Sequence, residues 1–209
     1  LSNSSNILFS DKVLLIEGET EYWILEKLFE KVIGKPLSYY KTSIVKLRGC
    51  GDIKKTMEVL RVMDIPCKAL ADLDFAFNMG RKQNLISESN PDFLECKKAM
   101  QSLADDSQNQ ISLDGSGWPK KNEFHTAEEM YELLGNIESA KSFINNIHNH
   151  YKMHNIWVWK RGAIDTYLGL KSKKCEQWQS LLEDIESEPL EKRLVNQEEV
   201  FECMKWLVD

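Results

Sequence analysis

The chain has 209 residues, of which 42% are hydrophobic and 29% are charged. This composition is typical of a folded globular protein and excludes disordered and collagen-like chains. There are 27 Lys and Arg residues against 33 Asp and Glu, a formal net charge of -6. This acidic balance disfavours a protein that binds nucleic acid over a generally basic surface, although it is compatible with a local basic groove.

Neither a membrane span nor a disulfide framework is predicted. No stretch approaches the roughly 18 uncharged apolar residues that cross a bilayer, and the N-terminus lacks the basic segment of a signal peptide. The five cysteines are widely spaced and form no Cys-x-x-Cys pair. This pattern favours reduced, buried thiols in a cytoplasmic protein. Because the first residue is not Met, we expect the sequence to be part of a longer chain.

The first third of the chain alternates between predicted strands and helices. Runs of β-branched and aliphatic residues predict strands over 12–16, 43–47 and 67–75. Apolar residues at helical spacing predict helices over 22–32 and 52–63. This order implies right-handed crossovers and a mostly parallel sheet, and therefore an α/β fold.

Residues 78–153 are predicted to be a helical and loop-rich insertion into this one domain. The insertion is polar to about Lys121 around a single helix near 91–105, and a longer helical pattern follows over 126–151. The strand and helix pattern then returns. The last predicted elements are a strand over 155–160 and helices over 163–168, 175–186 and 197–208.

Carboxylates follow two of the predicted strands. Glu17 ends the first strand, Glu21 lies one turn into the next helix, and Asp72 and Asp74 close the third strand. Residues two apart on a strand point to the same face, so both Asp side chains are expected to share one. Ligands of parallel sheets bind at the carboxyl ends of strands, where we expect these acids to converge.

A cluster of four carboxylates repels itself unless cations are present. Mg²⁺ and Mn²⁺ prefer oxygen ligands and accept incomplete protein cages. Two such ions, roughly 3.5–4 Å apart, are suited to phosphodiester cleavage. Any one of these acids taken alone has a simpler explanation, since acidic residues favour helix N-termini. The combination of two strand ends points to a metal site.

Two motifs resemble those of Toprim domains. The sequence VLLIEGETE over 13–21 is similar to their hydrophobic-E-G-x-x-[DE] motif, and Asp72-Leu73-Asp74 is similar to their D-x-D motif. Two further stretches resemble the OLD (overcoming lysogenization defect) nucleases. Residues 7–10 resemble the lead from the ATPase into Toprim, and VWKRGAIDTYL over 158–168 resembles the late Lys-containing strand and acidic helix start of that family. The resemblance covers residues 7–78 and 154–170.

The resemblance implies a Toprim sheet flanked by helices and a metal-dependent activity that nicks or cleaves DNA. Glu17 is implied to be a metal ligand or general base, and Lys160 to place its charge beside the scissile phosphate. Asp165 stands where the family more often has Glu. The implied ligands of two Mg²⁺ or Mn²⁺ ions are Glu17, Glu21, Asp72, Asp74 and Asp165.

Family membership also implies partners beyond DNA. OLD nucleases carry an N-terminal ABC-type ATPase through which they dimerise, and they are associated with phage defence or DNA processing. No Walker A sequence occurs here, as expected for the C-terminal part of such a protein. Two alternatives stay open, an RNA-cleaving Toprim nuclease and a catalytically idle Toprim interaction module. The presence of every acidic motif residue argues against the idle module.

Two groups of basic residues could line a groove that tracks phosphates beside the acidic site. An ordinary solvated surface explains each group equally well. The first group is Lys41, Lys46, Arg48, Lys54 and Lys55, and the second is Lys160, Arg161, Lys171, Lys173 and Lys174.

Overall fold

The computed structural model describes residues 10–106, 108, 110–170 and 175–209. Residues 7–9 and the lysines Lys171, Lys173 and Lys174, which carried predictions, lie outside this part of the chain. Within the described residues, four strands form one sheet of order β2-β1-β3-β4, namely β1 (Lys12–Ile16), β2 (Thr42–Lys46), β3 (Cys67–Ala71) and β4 (Ile156–Val158). The α-helices there are α1 (Glu19–Ile33), α2 (Ile53–Val62), α3 (Leu73–Phe77), α4 (Met79–Lys82), α5 (Pro91–Asp105), α6 (Ala127–Asn136), α7 (Lys141–Lys152), α8 (Ile164–Tyr167), α9 (Cys175–Ser187) and α10 (Gln197–Val208).

The predicted α/β fold with a parallel sheet is confirmed. β1 pairs in parallel with β2, in a register that joins Ile16 to Lys46, and also pairs in parallel with β3. Four successive residues of β1 are buried, which explains why its sequence is a continuous apolar run rather than an alternating one. β1 has the predicted bounds, and β2 begins one residue before its predicted start.

The prediction that Asp72 and Asp74 close a strand is wrong. β3 ends at Ala71, Asp72 has an extended backbone just before α3, and Asp74 lies in the first turn of that helix. The two carboxylates therefore do not share a strand face. Leu73, Phe75 and the two residues after it are all buried, and an apolar run buried on all sides gives no helical periodicity that would distinguish it from a strand.

The helical pattern over 126–151 is two helices rather than one. α6 begins with a capping box, in which Glu129 N–H donates to Thr126 Oγ1 (3.2 Å) and Thr126 N–H donates to Glu129 Oε2 (2.7 Å). The backbone becomes extended at Ile137 (φ -75°, ψ 125°), and a short 3₁₀ segment, Glu138–Ala140, precedes α7. Both helices bury apolar residues at helical spacing, so periodicity alone did not reveal the break.

The chain divides into two compact units, one of residues 1–70 with 164–209 and one of residues 71–163. In the first unit, α1 packs against α9 and α10, and Trp23 stacks on Trp178 with ring centroids 6.5 Å apart. α1 ends at Gly34, whose left-handed backbone (φ 79°) lets its N–H donate to Glu30 O.

The second unit, which contains the predicted insertion, has its own aromatic core. Phe77 of α3 stacks against Tyr131 of α6 and Trp118, while Phe93 of α5 contacts Phe77 and Trp118 edge-on or tilted. All four side chains are buried. Buried aromatic rings contribute both apolar area and specific ring geometry, so this cluster fixes α3, α5 and α6 relative to one another.

The described cysteines and helices agree with the predictions of reduced thiols and of no membrane span. In the described part of the chain, Cys50, Cys67, Cys96 and Cys203 form no disulfide bond, as predicted. Burial raises the pKa of Cys67 and of Cys96 to about 12, so both stay protonated at neutral pH. No helix among the described residues is long and apolar enough to cross a membrane.

Candidate active site

Glu17 opens onto a cavity at the carboxyl end of β1. The parallel pairing of β1 and β2 extends one residue beyond β2, because Leu47 N–H donates to the carbonyl of Ile16, the last residue of β1 (2.8 Å). The residues that follow the two strands therefore leave the sheet at the same edge. The half-buried Glu17 lines a cavity of about 830 Å³ there, together with the basic side chains of Lys46, Arg48 and Lys55. One of the predicted acidic residues, Glu17, thus lies in the same cavity as three of the predicted basic residues.

Glu21 has a different environment from Glu17. It lies near the start of α1 and is only 4% exposed. A Cβ atom at Gly18 would lie 2.0 Å from Glu21 Oε2, so the carboxylate occupies space that only glycine leaves open at position 18. The glycine of the E-G-x-x-[DE] motif is explained by this close approach rather than by a left-handed backbone, since its φ is -79°.

Asp165 is held by a buried hydroxyl that the sequence analysis missed. Thr20 Oγ1 donates to Asp165 Oδ1 (2.6 Å) and accepts a hydrogen bond from Trp178 Nε1 (3.2 Å). Thr20 is 1% exposed, so the indole N–H and the carboxylate are both satisfied by one side chain. The position of Thr20 between two motif acids is the only signal in the sequence, and nothing there points to Trp178.

Asp72 and Lys160 lie on two adjoining backbone segments of the second unit. Trp159 N–H donates to Ala71 O (3.0 Å), and Leu73 N–H donates to Gly162 O (2.7 Å). On one segment, Asp72 lies between the two bonded residues. On the other segment, Lys160 and Arg161 lie between them. Lys160 was predicted to lie in a strand, but β4 ends at Val158 and Lys160 lies in the turn that follows.

Asp74 faces the buried aromatic core. Burial raises the pKa of Tyr131, and the negative charges of Asp74 and Asp114 raise it further. Tyr131 therefore stays a neutral phenol at physiological pH. The Asp74 carboxylate is half-buried in the first turn of α3, where the helix dipole favours a negative charge.

Sequence comparison gives a family match for the N-terminal third of the chain. Residues 8–74 match the family described as "Overcoming lysogenization defect protein-like, TOPRIM domain". This segment is therefore similar to an OLD-like Toprim domain. The Old nuclease of Escherichia phage P2 is 30% identical over 212 residues, an alignment that covers 99% of this chain and 35% of that protein. The chain thus spans about a third of the length of this relative.

Two solved structures are also similar to this chain. The C-terminal region of the Xanthomonas campestris pv. campestris OLD protein has a TM-score of 0.35 at 15% identity, covering 97% of this chain and 80% of that one. The C-terminal region of the Burkholderia pseudomallei OLD protein has a TM-score of 0.39 at 12% identity, covering 96% of this chain and 100% of that one.

The Toprim match covers four of the six predicted site residues. Glu17, Glu21, Asp72 and Asp74 lie within residues 8–74, whereas Lys160 and Asp165 lie beyond the match. In the part of the chain that the structure describes, no three His, Cys, Asp or Glu side chains form a group that could hold a metal ion. Within the first unit, Glu17 faces the cavity, Glu21 is buried and Asp165 accepts the Thr20 hydroxyl. These three side chains do not form a ready-made ligand set.

Replacing Thr20 by Val is expected to lower the free energy of unfolding by about 1–3 kcal/mol, because the buried Trp178 N–H loses its acceptor. Val has nearly the same volume as Thr but lacks the hydroxyl. Thr20→Ser retains the hydroxyl and serves as the control, with a smaller loss. Urea unfolding followed by tryptophan fluorescence measures both variants. Equal losses for Val and Ser would show that the hydroxyl is unimportant.

Replacing Gly135 by Ala is expected to displace the turn that carries Lys160. The added Cβ would lie 2.8 Å from both Arg161 Cα and Lys160 O, and because these are backbone atoms, α6 or the turn must shift. We expect a loss of about 1–3 kcal/mol of stability. Gly115→Ala is the matched control in the same unit, since nothing lies within 4 Å of its Cβ. Thermal unfolding of the two variants provides the comparison, and equal melting temperatures would contradict the close packing.

Proposed function

We propose that this chain is the nuclease part of an OLD-type protein and that it hydrolyses DNA phosphodiester bonds with two Mg²⁺ or Mn²⁺ ions. The observation that carries the proposal is the cavity at the end of β1. It combines the motif carboxylate Glu17 with the exposed cations Arg48 and Lys55, inside the segment that matches the Toprim family. Carboxylates suit metal ions and cations suit phosphates, so the cavity has both chemistries that a nuclease requires.

The proposed metal ligands fit hard divalent cations by their chemistry. All are carboxylates, and oxygen donors are what Mg²⁺ and Mn²⁺ select over nitrogen or sulfur. When bound, the two ions would lower the pKa of a water molecule and stabilise the leaving oxygen. The proposed ligands are Glu17, Glu21, Asp72, Asp74 and Asp165.

The side chains divide the remaining work of the reaction. Glu17, half-buried and facing the cavity, orients the attacking water and accepts its proton. Thr20 holds the Asp165 carboxylate in one orientation through its 2.6 Å hydrogen bond. Lys160 donates to a non-bridging oxygen of the scissile phosphate, whose negative charge increases as the bond to water forms.

The larger assembly is proposed from the phage relative. The chain matches about a third of the Old nuclease, and we propose that an N-terminal ABC-type ATPase occupies much of the remainder and mediates dimerisation. A cytoplasmic location and a role in phage defence or DNA processing follow from the same proposal. The organisation of residues 1–209 as one Toprim domain with an insertion over 78–153 stays a prediction.

Cleavage of matched substrates tests the proposal. Supercoiled plasmid, linear DNA and RNA of the same sequence are incubated with the chain in EDTA, Mg²⁺ or Mn²⁺. We expect nicked or linear plasmid with either metal and none in EDTA. Cleavage of RNA alone would favour the RNA-cleaving alternative. An absence of cleavage with every metal, both for the isolated chain and for the chain joined to its ATPase, would favour the idle interaction module.

A further inference from the structure

Two cations of the cavity at the end of β1, Arg48 and Lys55, have no role in the chemical step proposed above. We propose that Arg48 and Lys55 bind a backbone phosphate of the substrate other than the one that is cleaved, and so position the nucleic acid against Glu17. This inference rests on the proposed function and adds a binding site to it. The ligand is a phosphodiester of a nucleic-acid chain rather than a free phosphate ion.

The structure distinguishes these two residues from the other basic residues near β2. Lys41 pairs with Asp11 (2.9 Å) and Lys54 with Glu58 (4.0 Å). Lys46 lines the cavity but forms an ion pair with Glu19, and its Nζ lies 5.7 Å from the centroid of the Tyr22 ring. Three of the five basic residues of this first group therefore already have acidic partners.

Arg48 and Lys55 have no such partner in the described part of the chain. Both are exposed at the cavity, and neither forms an ion pair within 4 Å among the residues that the structure describes. Arg48 lies two residues beyond β2, and Lys55 lies in the first turn of α2. The cations thus come from two separate elements that meet at the cavity. Because no described acidic side chain forms an ion pair with either cation, both are available to an anion that enters the cavity.

The chemistry of the two side chains suits a phosphate. The planar guanidinium of Arg48 can donate two parallel hydrogen bonds to phosphate oxygens, while the ammonium of Lys55 acts as a compact point charge. Contacts of this kind position a nucleic acid without reading its sequence. We therefore expect the site to set the register of the backbone and to have no base preference.

The acidic residues of the cavity decide between the two sources of phosphate. Glu17 and Asp52 line the same cavity, so a small free anion meets both cations and carboxylates there and gains little. A phosphodiester of a polymer is held by neighbouring contacts as well, including those at the proposed metal site. The cavity therefore favours a nucleic-acid backbone over inorganic phosphate or a mononucleotide.

Fluorescence anisotropy with a labelled DNA oligonucleotide in Ca²⁺ tests this inference. We expect Arg48→Ala and Lys55→Ala each to raise Kd about tenfold and to reduce the slope of log Kd against log salt by about one. Arg48→Lys keeps the charge but cannot donate two parallel hydrogen bonds, so we expect an intermediate effect. Millimolar inorganic phosphate should not displace the oligonucleotide from the wild-type chain.

Arg61→Ala is the matched control, because Arg61 is an exposed cation in the last turn of the same helix and does not line the cavity. We expect Kd and salt slope close to wild type for this variant. Equal weakening by Arg48→Ala and Arg61→Ala, or no weakening by either cavity variant, would overturn the inference. Circular dichroism melts of every variant exclude loss of folding as the cause.

Binding and cleavage separate this inference from the proposed function. A wild-type chain that binds the oligonucleotide through Arg48 and Lys55 but cleaves nothing would refute the nuclease proposal and support the phosphate site. A chain that cleaves DNA, and whose affinity does not change on loss of either cation, would support the nuclease and refute the site.

Discussion

Replacing Glu17 by Gln is expected to reduce metal-dependent DNA cleavage by about 10²–10⁴-fold. The amide keeps the size of the side chain, so the cavity is preserved, but it cannot accept a proton from water and is a poor ligand for a hard cation. The effect is expected in the rate of a single turnover at saturating metal. Oligonucleotide affinity should change far less, because Arg48 and Lys55 are untouched.

Glu19→Gln is the control for this experiment. Glu19 is a carboxylate of the same cavity, two residues away, but it is more than half exposed and is paired with Lys46. Removing it changes the local charge by the same amount as Glu17→Gln without touching the proposed centre. We expect a change in rate of less than about threefold, as for an exposed ion pair. Cleavage that persists in Glu17→Gln would mean that the active site lies elsewhere.

The edge of the sheet where Glu17 lies was predictable from local sequence. A short run of buried aliphatic residues, followed by glycine and a helical pattern, is a strong local signal for a strand and the helix after it. The same rule failed at Asp72, because the apolar residues around it fit a buried helix as well as a strand. Leu73, Phe75 and the two residues after Phe75 are all apolar and buried, and a buried helix of five residues can have the same composition as a strand. The roles of the motif acids stay predictions, while the predicted strand geometry of Asp72 and Asp74 is wrong.

Contacts between distant residues were beyond the reach of sequence patterns. Thr20 accepts a hydrogen bond from Trp178, which is 158 residues away along the chain, and no local preference of either residue implies this pairing. The same holds for Gly135, which the helical pattern of α6 makes an unfavourable residue. The structure explains why glycine is needed there, because the backbone of Lys160 and Arg161 packs against Gly135 and leaves no room for a Cβ atom. Tertiary packing, rather than local propensity, explains the identities of Thr20 and Gly135.

Selection among the basic residues also required the structure. The sequence places five basic residues near β2, and it supports a phosphate-binding groove and an ordinary solvated surface equally well. Ion pairing separates them, since Lys41, Lys46 and Lys54 have acidic partners. Surface ion pairs contribute little stability, but they determine which charges are available to a ligand.

Replacing Lys160 by Ala is expected to lower kcat for DNA cleavage by about 10²–10³-fold while changing KM much less. An ammonium that contacts a non-bridging phosphate oxygen gains most when that oxygen carries its highest charge, which is in the transition state. The backbone bonds from Leu73 to Gly162 and from Trp159 to Ala71 fix the segment that carries Lys160. Little reorganisation is then needed as the charge develops.

Arg161→Ala provides the comparison, because Arg161 is the next residue of the same turn and also carries a positive charge. If the turn contributed only a general positive potential, both variants would lose activity equally, and both losses would shrink at high salt. A specific contact predicts a large, salt-insensitive loss of kcat for Lys160→Ala and a small loss for Arg161→Ala. Lys160→Arg keeps the charge but changes its shape and reach, so partial recovery of kcat is expected. A rise in KM alone for Lys160→Ala would place this lysine in substrate binding and remove it from the chemical step.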